Sequence, residues 1–86
     1  MILYRTDIQS LADITICFVD LESYADCSIW ETDKENWADG PLKWCWTDAQ
    51  HRADKTVFVV ENPAWADVKV FRTTNENWVR GEFAPG

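Results

Sequence analysis

The chain has 86 residues, 47% hydrophobic and 14% aromatic, with eight Lys and Arg against fifteen Asp and Glu and a formal net charge of −7. This length excludes two independent cores, because domains cluster near roughly 100–150 residues; twelve aromatic rings, six of them Trp, exclude the composition of a disordered chain. The acidic balance argues against direct binding to nucleic acid or to an anionic membrane, since both need clustered Lys and Arg, and leaves room for a basic protein as partner.

Taken in order, the chain alternates β-rich segments with short polar connectors. Residues 2–6 form the first segment, with no basic stretch leading into an apolar one, and nowhere does the sequence approach about 18 consecutive apolar residues. A cytoplasmic, monomeric protein is the expectation. After that segment come Asp7 and then Leu11-Ala12-Asp13, and the same words recur: Asp20 with Tyr24-Ala25-Asp26, Asp33 with Trp37-Ala38-Asp39, Asp48 with Arg52-Ala53-Asp54, and Glu61 with Trp65-Ala66-Asp67. A degenerate sixth copy ends in Trp78-Val79-Arg80, and the central residues are spaced 13, 13, 15, 13 and 13 apart. Between the copies lie β-branched and aromatic stretches at residues 14–19, 27–32, 42–47, 56–60 and 68–73, with period-2 alternation cleanest at Ile14, Ile16 and Phe18.

These words describe a mainly β, repeat-built single domain over residues 1–86, with units of about 13 residues and a tail at 82–86. About six short strands are joined by one-turn helical connectors. The acid that ends each strand (Asp7, Asp20, Asp33, Asp48, Glu61) is predicted to cap that turn by accepting backbone N–H bonds. The repeated Ala12, Ala25, Ala38, Ala53 and Ala66, each followed by Asp13, Asp26, Asp39, Asp54 or Asp67, suit points where a connector passes close over another chain segment. The bulky residue before each alanine would anchor that crossing. Connectors this short cannot hold a standard parallel crossover between neighbours, which takes about a dozen residues or more. Two architectures remain: an unknotted antiparallel meander or small barrel, or a sheet in which consecutive strands are not neighbours and connectors cross. The repeated alanines favour the second.

The strand–acid–bulky–Ala-Asp unit resembles that of the septoil-knot family, small domains of unknown function, over about residues 2–81. The resemblance implies a chain threaded as a deep, seven-crossing torus knot, and it implies no activity, cofactor or partner. This sequence departs from the regular pattern in its last copy, in its tail, and in a two-residue insertion assigned to the connector from Trp46 to Arg52.

Chemistry-bearing residues are few. His51 stands in a connector beside Asp48 and Asp54 but with no nucleophile signature, which reads as an exposed connector residue. Cys17, Cys27 and Cys45 are an odd set without a Cys-x-x-Cys pair, hence buried thiols rather than disulfides or a zinc site. The oxygen-rich run from Asp33 to Gly40 lacks the order of a calcium loop. Trp37, Trp65, Trp78 and Tyr24 share one repeat position, which is either an anchor of the connectors or a stacking and hot-spot surface. Trp30, Trp44 and Trp46 fall within strands, where neighbours point to opposite faces and at least one would be exposed. The expectation is a non-enzymatic protein-interaction module without metal or cofactor, with an inhibitor as its sharper form. The alternative is a small-ligand or nucleotide-binding sponge with a Trp-lined surface.

Overall fold

In the computed structural model, which describes residues 1–83, the β-branched segments become strands β1 (Ile2–Arg5), β2 (Ile14–Phe18), β3 (Cys27–Glu31), β4 (Lys43–Trp46), β5 (Lys55–Val59), β6 (Val68–Thr73) and β7 (Arg80–Gly81). Six of them form one parallel sheet in the order β4-β1-β5-β2-β6-β3, and a further pairing of β4 with β3 closes it into a barrel. The seventh strand, beyond the six expected, runs antiparallel to the start of β3 through Cys27 with Gly81 and Ser28 with Arg80. Closure leaves the barrel strands without the free edge that an open sheet of this size would present.

Consecutive strands are therefore not neighbours, with the one exception of β3 and β4. From β1 to β2 the chain steps over β5, from β2 to β3 over β6, from β4 to β5 over β1, and from β5 to β6 over β2. Each of these connectors spans eight residues, as from Thr6 to Asp13. Two strand spacings sideways and about 16 Å back along the barrel need a path of roughly 19 Å, well within the reach of eight extended residues. What shortens the crossover below the usual dozen residues is the replacement of a full helix by a single 3-10 turn: Gln9–Leu11, Glu22–Tyr24, Glu35–Trp37, Gln50–Arg52, Pro63–Trp65 and Glu76–Trp78. The connectors ring a disc of 32 × 31 × 19 Å, whose thin dimension matches the height of strands four to six residues long.

The Ala-Asp word marks the crossing, but the work is done by the aspartate. Asp13 donates its N–H to the Thr56 carbonyl at 2.7 Å, and its Oδ2 accepts the Thr56 N–H at 2.8 Å, so one residue grips both backbone groups of the strand beneath it. The same two-point clamp joins Asp26 to Lys69, Asp54 to Ile2 and Asp67 to Thr15. At the third connector the Met1 amino group instead donates to the carbonyls of Ala38 and Gly40, and to that of Lys43 at the start of β4. The alanines beside the clamps are half-buried.

Two expectations need correction. The acids at the strand ends do not cap the turns: Asp7, Asp20, Asp33, Asp48 and Glu61 are exposed, and the residues at the turn starts are Ile8, Leu21, Lys34, Ala49, Asn62 and Asn75. The local bonds come instead from a threonine at the strand end, which directly precedes the acid at Asp7, Asp33 and Asp48. Thr6, Thr32, Thr47 and Thr73 each accept the N–H of the residue two positions on, and Asn62 and Asn75 cap the last two turns. A threonine needs only its short Oγ1 to close this turn, which leaves the neighbouring carboxylate to solvent. The insertion also lies elsewhere, in the third connector rather than between Trp46 and Arg52. Residues 32–42 make that connector eleven long, and Gly40 turns it at a positive φ of 78°.

Substituting Asp26 with Ala is accordingly expected to cost about 1–3 kcal/mol, because the Lys69 amide loses a charge-assisted acceptor. Asp20→Ala, which removes no bond, should stay within about 0.5 kcal/mol of the parent. Paired urea melts check both, and equal costs would count against the clamp.

The inward faces build the core. One residue from each barrel strand, namely Leu3, Ile16, Ile29, Trp44, Val57 and Val70, is 0% exposed. Met1, Leu42 and Val68 pack against this ring, as do Phe18, Trp46 and Val59 further along the strands. Of the three strand tryptophans, Trp44 is buried while Trp30 and Trp46 are half-buried; none is exposed. The expected tail at 82–86 is a core element in part: Phe83 is buried and meets Trp44 edge-on at 4.9 Å. Ala84, Pro85 and Gly86 lie outside the described residues.

Candidate functional site

Because every connector carries its bulky residue at the same point of its 3-10 turn, the repeat places those side chains around the rim of the disc. Tyr24, Trp37, Trp65 and Trp78 are 55–71% exposed, as are Leu11, Leu21 and Ile8 at 53–57%. An anchor of the crossings would be buried, so these rings do not hold the connectors down. They also do not converge: Trp65 lines one cleft with Phe58 and Glu61, Trp78 another with Phe71 and Arg80, and Trp37 two more with Trp30. Carboxylates are interspersed with them, among them Glu22, bonded to Arg80 at 2.9 Å, and Glu35, bonded to Arg52 at 2.6 Å.

The second surface is the end of the barrel where its parallel strands finish. Two residues beyond the sealed ring, on the same inward face, come Arg5, Phe18, Glu31, Trp46, Val59 and Arg72. Here the Trp46 Nε1–H donates to Glu31 Oε2 at 2.6 Å, the other carboxylate oxygen lies 3.8 Å from Arg72, and the Arg72 guanidinium sits 4.3 Å over the Phe18 ring. With Tyr4, Arg5, Thr47 and Asp48 these residues line an open cleft of about 520 Å³.

A family model described as the 7(1) septoil knot domain matches residues 1–79. The chain belongs to the septoil-knot family. No curated protein and no solved structure matches it. In this septoil-knot domain His51 is exposed on the turn Gln50–Arg52, and Asp33, Asp39 and Gly40 are exposed on the third connector. Among the described residues no three His, Cys, Asp or Glu side chains gather as a metal site, and no helix is long and apolar enough to cross a membrane.

All three cysteines are free and buried, as the odd count and spacing suggest. Burial, with a smaller contribution from neighbouring Asp26, pushes the Cys27 thiol from its ordinary 9.0 up to about 11, and burial likewise raises Cys45. A thiol that ionises later in the folded protein than in the unfolded chain favours folding only while both stay protonated. Stability is thus expected to be level below about pH 9 and to fall as pH rises toward about 11. At pH 8 the native protein should resist iodoacetamide, and guanidinium should expose all three thiols. Fast native labelling of Cys27 would contradict its burial. The sequence pattern could find these cysteines but not the barrel mouth, because Arg5, Phe18, Glu31, Trp46 and Arg72 come from five different strands.

Proposed function

We propose that this domain is a non-enzymatic protein-interaction module that uses its rim aromatics, Tyr24, Trp37, Trp65 and Trp78, to bind a basic protein partner. The observation that carries this reading is the exposure of four large rings at one repeat position. Surface rings of this size gain free energy when a partner desolvates them, and Trp and Tyr dominate interface hot spots. Their spread over separate clefts favours a broad protein surface over a single Trp-lined pocket, so the small-ligand sponge at these residues is the weaker reading. The net charge of −7 selects a basic partner and speeds encounter with it. Free thiols suit a reducing compartment, and we read the domain as a cytoplasmic monomer with inhibition of its partner as the sharpest form of its role.

The test is affinity capture from the source organism's lysate with the parent protein and with a variant carrying Tyr24→Ser, Trp37→Ser, Trp65→Ser and Trp78→Ser. The four changes lie on the surface, and each should alter stability by only about 0.5 kcal/mol. A basic protein retained by the parent at stoichiometric amounts and lost by the variant supports the module. Identical retention by both, or a co-purifying small molecule lost with the same rings, overturns it.

A further inference from the structure

Beyond the rim, we propose that the mouth of the barrel binds a small, flat, singly charged organic anion, such as an aromatic carboxylate. The cleft of about 520 Å³ falls in the range of ligand pockets, roughly 300–1,000 Å³. Beneath it the ring of Leu3, Ile16, Ile29, Trp44, Val57 and Val70 is sealed, so a ligand must lie across the mouth rather than enter the barrel. The floor is formed by the Trp46 indole and by the Phe18 ring with the Arg72 guanidinium over it, with Tyr4 also in the lining. A planar ring fits such a floor by stacking.

The charges specify the rest. Four titratable groups besides Tyr4 line the cleft: Arg5, Arg72, Glu31 and Asp48. Glu31 is already held by the Trp46 indole N–H, while Arg72 lies over Phe18 at ion-pair distance from the other carboxylate oxygen. The Trp46 indole and the Glu31 carboxylate are therefore oriented before any ligand arrives, which reduces the ordering cost of binding. Arg5 differs: among the described residues no carboxylate lies within salt-bridge distance of it. It is the cation free to take a ligand's carboxylate, and its planar fork suits bidentate pairing. Two guanidiniums stand against two carboxylates, so the lining is neutral, and a ligand that brings one negative charge disturbs that balance less than one that brings two or three. Placement where parallel strands end also follows the general habit of such sheets, whose ligands sit beyond the carboxyl ends of the strands.

The test is an NMR titration of the ¹⁵N-labelled full chain with indole-3-acetate and benzoate, using neutral indole-3-acetamide and adenosine 5′-monophosphate as comparators. Saturable shifts are expected at the Trp46 Nε1–H and the Arg5 and Arg72 side-chain N–H signals for the two carboxylates, at concentrations up to about 10 mM. Arg5→Gln, a surface change that should leave the melting temperature in place, is expected to weaken carboxylate binding about tenfold. The same change should leave the weak binding of the amide alone. No saturable shift at the mouth, shifts confined to the rim indoles, carboxylate affinity unaltered in Arg5→Gln, or tighter binding of the dianionic nucleotide would each overturn the proposal. Rim binding to a protein and mouth binding to a small anion use different residues, so either can fail alone.

Discussion

Replacing Trp44 with Ala is expected to cost about 3–5 kcal/mol and to leave the protein largely unfolded at room temperature. The indole is fully buried in the ring of six, its N–H donates to the Pro41 carbonyl at 2.7 Å, and it meets Phe18, Trp46 and Phe83 edge-on at centroid distances of 6.5, 5.8 and 4.9 Å. It thus links Phe18 and Trp46, where the strands finish, to Phe83, where they begin. Its loss removes transfer free energy and leaves a cavity that cannot collapse, because a closed sheet fixes the distance between facing walls. A domain of this size has only about 5–10 kcal/mol in hand. Trp44→Phe, which keeps a ring and forfeits the indole N–H bond, should retain the fold at a cost of about 1–3 kcal/mol. Urea melts followed by circular dichroism measure both, and a loss below about 1 kcal/mol for the Ala variant would mean that the core is not organised around this residue.

The sequence made the period legible because period and strand are the same physical unit. β-branched runs at Ile14, Ile16 and Phe18 and at Val68 and Val70 must bury one face, and a connector of fixed length must recur to return the chain to the same end. What stayed hidden was long-range. Asp13 and Asp26 each meet a partner 43 residues away, and Asp54 and Asp67 each meet one 52 residues away, so no local pattern distinguishes these clamps from the acids six positions earlier. The place of the insertion is hidden for a related reason. The spacing of alanines shows only that two extra residues lie somewhere between Ala38 and Ala53, and strand β4 sits in the middle of that interval without revealing which side is longer. The rim aromatics were identified by position, yet their exposure depended on the connectors lying outside the barrel, which follows from topology alone.

The end of the chain offers the other large effect. Phe83→Ala should cost about 2–4 kcal/mol, since a buried ring against Trp44 is removed from the core. Gly81→Ala should cost a comparable amount by a different route. Gly81 has a φ of 86°, and a Cβ there would stand 2.5 Å from the Asp26 carbonyl oxygen and 2.9 Å from Cys27 Cα, both backbone atoms that cannot move aside. Each change acts by releasing the same short segment, β7 with the Phe83 that follows it, from β3 and Trp44. Once the segment has left, a second substitution within it has nothing more to remove. The double variant is therefore expected to fall short of the summed single costs by at least about 1 kcal/mol, whereas independent sites add within about 0.5 kcal/mol. Additive losses would mean that Gly81 and Phe83 are held separately. A near-zero cost for Phe83→Ala would mean that the barrel holds its core without the ring that closes it where the strands begin.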